Sequence, residues 1–206
     1  MINIKNEWTK AQEWEKKWHD NCANSYGEET KQYIYAHRMG LDEFKFTDEA
    51  SRIYWNYGAD KSVIDIGGGA YSLLLKSLAG KRTVVDPCNY PAWVEARYKE
   101  LGIEYYKIPA EDLEPTHIYD YALIYNCLQH TIDPKKIIEN AKATAKEVRI
   151  FEWIETGTNI GHLHNLTIKN LDQWLGGIGK VERINEGGAV GLCYYGIFPT
   201  TKVSEK

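Results

Sequence analysis

The stretch Val63-Ile-Asp-Ile-Gly-Gly-Gly-Ala-Tyr71 gathers the residue types that build a ligand site. Asp65 sits inside a short apolar run, and Gly67, Gly68 and Gly69 follow directly. Glycines let a backbone turn sharply and approach a ligand closely. A strand that turns there into a helix presents free N–H groups at the carboxyl end of a sheet. A second acid, Asp86, follows Asp65 by 21 residues and ends the next apolar run. Doubly wound folds place the carboxylate that grips ribose hydroxyls at that point. The dinucleotide pattern GxGxxG wants Gly or Ala at position 72, where Ser72 stands. Asp65 just ahead of the glycines also repels a pyrophosphate, so the arrangement suits a cationic ligand.

Three histidines supply bases near neutral pH. His130 follows the apolar run Tyr119–Tyr125, and His162 and His164 lie in Thr158-Asn-Ile-Gly-His-Leu-His-Asn-Leu-Thr167. In an extended segment residues i and i+2 point the same way, so His162 and His164 are expected to face one cavity. Packing or loop hydrogen bonding is the plainer role for each of the three. Glu152 and Glu155 are near enough in sequence to complete a metal site with the pair. No other tight His/Asp/Glu cluster supports one, and no metal is expected. His19, His37 and His117 read as surface or cap residues. Cys22, Cys88, Cys127 and Cys193 form no CxxC pair, which points to free intracellular thiols.

The elements that must position these groups follow from periodicity. Residues 5–20 read as a helix with Trp8, Trp14 and Trp18 on one stripe. The stripe is expected to dock on the domain; a lid over the ligand is the sharper alternative. A second helix is expected over residues 28–40, and a third from Thr47 to about Gly58. From residue 61 strands and helices alternate. Strands are expected at 62–66, 82–86, 103–108, 119–125 and 147–154. Helices are expected at 71–78, 92–101, 134–145 and around 171–175. Residues 180–185 and 191–198 close the chain as a hairpin. Repeated strand–helix–strand units require a parallel sheet with helices on both faces. The expected fold is an α/β doubly wound, seven-stranded, mostly parallel sheet with a terminal antiparallel hairpin. Residues 1–44 are expected as an N-terminal helical cap, and residues 45–206 as the main domain.

Composition narrows the function classes. The chain has 206 residues, 43% of them hydrophobic and 26% charged, which suits one ordinary globular domain. Its formal net charge of −4 argues against a phosphate-gripping nucleic-acid binder. Apolar runs are too short for a membrane span, and the first residues lack the apolar core of a secretory signal. A cytoplasmic protein is expected.

The segment Asp65-Ile-Gly-Gly-Gly resembles motif I of the class I S-adenosylmethionine-dependent methyltransferases, acid-x-Gly-x-Gly. The order of further segments is similar as well. Asp86, with Pro87 beside it, matches the acid that in that family binds the ribose. Ala110-Glu111-Asp112-Leu113 resembles the segment that meets adenine. Asp120-Tyr-Ala-Leu-Ile-Tyr-Asn-Cys-Leu-Gln-His130, with Asp133-Pro134 behind it, resembles the fourth motif. The resemblance covers roughly residues 45–198. It implies a Rossmann-like fold, S-adenosyl-L-methionine as cofactor, and a cofactor site of Asp65, Gly67, Gly68, Gly69, Asp86, Pro87, Ala110, Glu111 and Asn126. Two departures stand out. Pro109 occupies the place of an aspartate that faces the adenine amino group, so Glu111 or a backbone carbonyl must serve. The Pro-Gly-Gly turn before the fifth strand is missing.

Gly161-His-x-His-x-Leu-Thr167 is similar to a stretch of methyltransferases from carbohydrate and small-metabolite pathways. The expected reaction is O-methylation of a small or sugar-like acceptor, with His162, His164 and His130, which follow the ends of the fourth and fifth strands, as catalytic candidates. An amine acceptor and a binding protein without turnover are the alternatives. Tyr35 and Arg38 on the second helix are acceptor-binding candidates, Arg38 for a carboxylate or phosphate. Asp86-Pro-Cys-Asn-Tyr-Pro91 superficially resembles the Asn/Asp-Pro-Pro-Tyr motif of nucleic-acid methylases, but follows the wrong strand. No nucleic-acid or membrane partner is expected.

Overall fold

The computed structural model describes residues 4–20, 22–45, 53–115 and 118–200. Two helices, α1 (Ile4–His19) and α2 (Cys22–Arg38), lead into a small antiparallel pair, β1 (Asp42–Lys45) and β2 (Ile53–Asn56). The main sheet follows, with β3 (Ser62–Ile66), β4 (Lys81–Val85), β5 (Glu104–Tyr106), β6 (Tyr119–Tyr125), β7 (Ala145–Ile154), β8 (Lys180–Glu186) and β9 (Ala189–Pro199). Its order is β5-β4-β3-β6-β7-β9-β8. The strands from β5 to β7 run parallel, and β9 enters antiparallel between β7 and β8. The chain steps outward from β3 to β4 and β5, then crosses to β6 on the other side of β3. That reversal opens a crevice outside the carboxyl ends of β3 and β6.

Central strands covered on both faces read as continuous apolar runs, as Val63, Ile64 and Ile66 of β3 and Ala122 to Ile124 of β6 do. All are buried. One face packs against α2, the β1–β2 pair and α3 (Ala92–Glu100), through Tyr35, Met39, Trp55, Val94 and Tyr98. The other packs against α4 (Pro134–Thr144) and α5 (Ile168–Leu175), through Ile137, Ile138, Ala141 and Leu171. Both latter helices start on side-chain caps. Asp133 accepts the N–H of Lys136 with Pro134 in the first turn, and Thr167 accepts the N–H of Asn170. Without a Pro-Gly-Gly turn, α4 passes straight into β7, with Ala145 extended at its end.

Two expected helices are not formed over the described residues. The segment expected as a helix from Tyr71 to Leu78 is a short 3₁₀ turn, Leu73–Lys76. Leu73, Leu74 and Leu75 are all buried, so core surrounds consecutive residues and no solvent face remains for an amphipathic helix. The N-terminal dipole expected behind the glycines is therefore not built. The helix expected to end near Gly58 is replaced, over its described part, by β2. Trp55 buries its ring there and its carbonyl accepts the N–H of Leu78. Thr47, Asp48 and Glu49 lie outside the described residues, as does His117. No described helix is long and apolar enough to cross a membrane.

Candidate functional site

A cavity of about 490 Å³ opens at the carboxyl ends of β3, β4 and β6, under α1 and α2. Gly67, Gly68 and Gly69 form part of its wall. The N–H of Gly67 donates to Val85 O of β4, which ties the turn to the sheet. Gly67 has φ +73°, and a Cβ there would lie 2.5 Å from Cys127 Cβ. Its bareness is therefore required for packing against the turn after β6. A Cβ at Gly68 would meet Asp65 Oδ2 at 2.8 Å.

Asp86 lines the cavity at the end of β4 and is 6% exposed. Its Oδ2 accepts the N–H of Gly69 at 3.0 Å and its Oδ1 that of Cys88 at 2.8 Å. Pro87, Ala110, Glu111 and Asn126 line the same cavity. Glu111 Oε1 accepts the N–H groups of Ile132 and Asp133, joining the turn after β5 to the start of α4.

Asp65 does not line the cavity. It is fully buried beneath the turn, where Oδ2 accepts from the hydroxyls of Ser72 and Tyr125 and Oδ1 has no partner. Burial pushes its carboxyl up to about 7. The expected ligand contact is corrected to a brace: Asp65 holds Ser72, which caps the 3₁₀ turn.

The structure pairs the histidines differently from the sequence. His130 and His162 line the cavity, and His164 does not. The rings of His130 and His162 meet edge to face. The His164 ring turns away, its Nε2–H donating to Thr131 O at 2.8 Å. The segment is not a free strand: Leu163 and His164 both donate backbone N–H groups to Gln129 O, so i and i+2 do not share a face. His130 Nδ1–H donates to Gly161 O at 2.6 Å. The lone pair therefore sits on Nε2, where the amide of Gln129 approaches at 3.4 Å. Burial, then the neighbouring His130, lowers the His162 pKa and keeps that ring neutral at neutral pH.

Arg38 is also outside the cavity. Its guanidinium pairs with Glu182 at 3.0 Å and Glu186 at 2.8 Å on β8, so it holds α2 to the hairpin. Tyr35 does line the cavity; its hydroxyl accepts from Trp153 Nε1, and its ring stacks on Phe151. Trp8, Trp14 and Trp18 face the cavity too, Trp14 and Trp18 stacked with centroids 5.2 Å apart. Sequence reasoning missed Glu15, Gln32, Trp153 and the hairpin tip at Gly188 to Gly191, all on the wall. The spacing of Glu28, Lys31, Gln32 and Tyr35, one face of a helix, was a signal for that side. The hairpin was expected, but nothing local marked its tip as part of the cavity wall. His/Cys/Asp/Glu groups able to hold a metal ion are absent among the described residues.

The sequence matches no family model and no curated protein. Solved structures do match. The 1,6-didemethyltoxoflavin N1-methyltransferase of Burkholderia thailandensis, crystallised with S-adenosylhomocysteine, superposes with a TM-score of 0.62 at 14% identity, over 93% of this chain and 87% of that one. The chain has the class I methyltransferase fold. The N-methyltransferase NodS of Bradyrhizobium japonicum gives 0.53 at 13% identity over 70% and 80% of the two chains. The plantazolicin methyltransferase BpumL gives 0.52 at 12% over 96% and 98%. In this methyltransferase fold the cavity lies where the strand order reverses, the usual ligand position of an open α/β sheet. Its lining also fits a cationic cofactor. Glu15, Glu28, Asp86 and Glu111 line it, and Lys31, the sole lysine or arginine among the described lining residues, pairs with Glu28 at 2.8 Å.

Proposed function

We propose that the protein is an enzyme that transfers a methyl group from S-adenosyl-L-methionine to a small-molecule acceptor. The observation that carries this reading is the Asp86 carboxylate on the cavity wall beside the Gly67–Gly69 turn, at the carboxyl ends of β3 and β4. Asp86 would hold the ribose hydroxyls. Pro87, Ala110 and Ile137 offer apolar surface to the base, and Gly67 and Asn126 face the amino-acid tail. Residues 45–206 hold the cofactor in this reading, and α1 and α2, within residues 1–44, cap the acceptor. When bound, the cofactor supplies a methyl carbon already activated by a positive sulfur.

The chain's own work is then alignment and proton removal. His130 is the base: Gly161 O fixes the proton on Nδ1, and the Nε2 lone pair takes the proton of the acceptor. His162 packs beside it as a neutral neighbour. The rings of Trp8, Trp18 and Trp153 offer flat faces to the acceptor, and Gln12 and Gln32 offer amide groups. These favour an uncharged, hydroxyl-bearing, sugar-like acceptor. An amine is the second reading, favoured by the Glu15 carboxylate on the wall. An acceptor carrying phosphate finds no uncommitted lysine or arginine among the described lining residues.

Calorimetry with S-adenosylhomocysteine and, separately, NAD tests the cofactor. One-to-one binding of S-adenosylhomocysteine with weaker or no binding of NAD is expected, and tighter binding of NAD overturns the assignment.

A further inference from the structure

Below the cavity floor lies an ionisable residue that touches none of its space. Glu152, near the end of β7, is fully buried. Its Oε1 accepts the backbone N–H groups of Cys127 and Leu128, both at 3.1 Å. Its Oε2 is buried without a partner. Those two amides belong to the turn that ends β6, and Asn126, the first residue of that turn, has φ +49°. Non-glycine residues hold the left-handed region at a cost and need surroundings that enforce it. Three contacts enforce it here. Asn126 N–H donates to Phe151 O at 2.9 Å, Gln129 Nε2 donates to Asn126 Oδ1 at 3.1 Å, and Glu152 collects the next two amides. On the opposite side, Cys127 fills the space that Gly67 leaves open. Asn126, Cys127, Gln129 and His130 all line the cavity, so in the proposed reading one short turn carries both the residue at the cofactor tail and the base.

We propose that Glu152 is a positioning residue of the transfer reaction: by gathering the Cys127 and Leu128 amides it sets the turn that aims Asn126 at the cofactor and His130 at the acceptor. This rests on the methyltransferase reading above. An isolated turn of this kind would leave two amide donors unpaired at the floor of a cavity, and an unpaired buried amide is costly. Both amides are taken by one oxygen at the end of the Glu152 side chain, and that acceptance does not require a charge. Burial pushes the Glu152 carboxyl up to about 8, so it serves in its neutral form near pH 7. Glutamine, which keeps the accepting oxygen and the length, is therefore expected to replace it.

The test compares Glu152→Gln with Glu152→Leu. Affinity for S-adenosylhomocysteine is read by calorimetry, and amide hydrogen exchange at Cys127, Leu128 and, as control, Val84 of β4 is read by NMR. Glu152→Gln should bind within about threefold of the wild type. Glu152→Leu should bind at least tenfold more weakly, with faster exchange at Cys127 and Leu128 and unchanged exchange at Val84. Normal binding by Glu152→Leu, or a Glu152→Gln as impaired as Glu152→Leu, overturns the proposal. Should Glu152→Leu not fold, the wild type decides: fast exchange at the Cys127 and Leu128 amides, comparable to exposed loops, overturns it as well. A wild type that binds no S-adenosylhomocysteine overturns the methyltransferase reading and leaves the exchange measurement standing by itself.

Discussion

The imidazole of His162 stands edge-on to that of His130, with ring centroids 4.9 Å apart and planes 76° apart. They come from different connections, one after β6 and one after β7, and they meet because both connections bend over the same sheet end. His164, two residues from His162, is excluded from that meeting by its bond to Thr131 O.

His130→Ala should therefore lower turnover about 100-fold or more, the scale of a lost general base, while affinity for S-adenosylhomocysteine stays unchanged. His164→Ala should cost far less. Equal losses in both variants would assign the base elsewhere.

Asp86→Ala should weaken S-adenosylhomocysteine binding by about 2 kcal/mol or more, the scale of charge-assisted hydrogen bonds to a diol. Calorimetry measures it. Unchanged affinity would detach Asp86 from the ribose.

Gly67→Ala should destabilise the fold by about 2 kcal/mol, because the new Cβ collides with Cys127 at a backbone angle that disfavours any side chain. Denaturant unfolding without ligand reads this directly. A variant as stable as the wild type that still binds no cofactor would restore the simpler view that ligand space alone demands the glycine.

The pH dependence of stability follows from Glu152. Its folded pKa of about 8 lies above the ordinary 4.5. Between those values the folded chain holds a proton that the unfolded chain releases, so stability falls as pH rises through that window. Below about pH 4.5 this penalty is absent, and above about 8 it is complete. Glu152→Gln removes it. The melting temperature of Glu152→Gln relative to wild type should rise steadily from pH 5 to pH 8. A difference that stays flat over that range would mean the carboxyl is ionised throughout.

Exchanging Arg38 for methionine should leave acceptor KM unchanged and lower the melting temperature slightly. The Arg38 pairs to Glu182 and Glu186 are partly exposed, and such pairs contribute about 1 kcal/mol or less. A large rise in KM would return Arg38 to the acceptor site.

The sheet was legible in the sequence because its code is local. Val63 to Ile66 and Tyr119 to Tyr125 are apolar runs of strand length, and Asp133-Pro134 announces a helix start with the residues that cap one. What tertiary structure alone decided is which groups face the cavity. Asp65 lies one residue from the glycines, yet its carboxyl points into the core, because Ser72 and Tyr125 supply hydroxyls there. Three successive leucines ended a predicted helix, because core surrounds them on every side. His162 found His130 and lost His164, and Arg38 found two carboxylates on a strand 144 residues away. Glu152 took two amides of a turn from 24 and 25 residues earlier in the chain. Spacing along the chain fixes which face of its own element a side chain occupies; the partner waiting on that face comes from another part of the chain, and only packing brings it there.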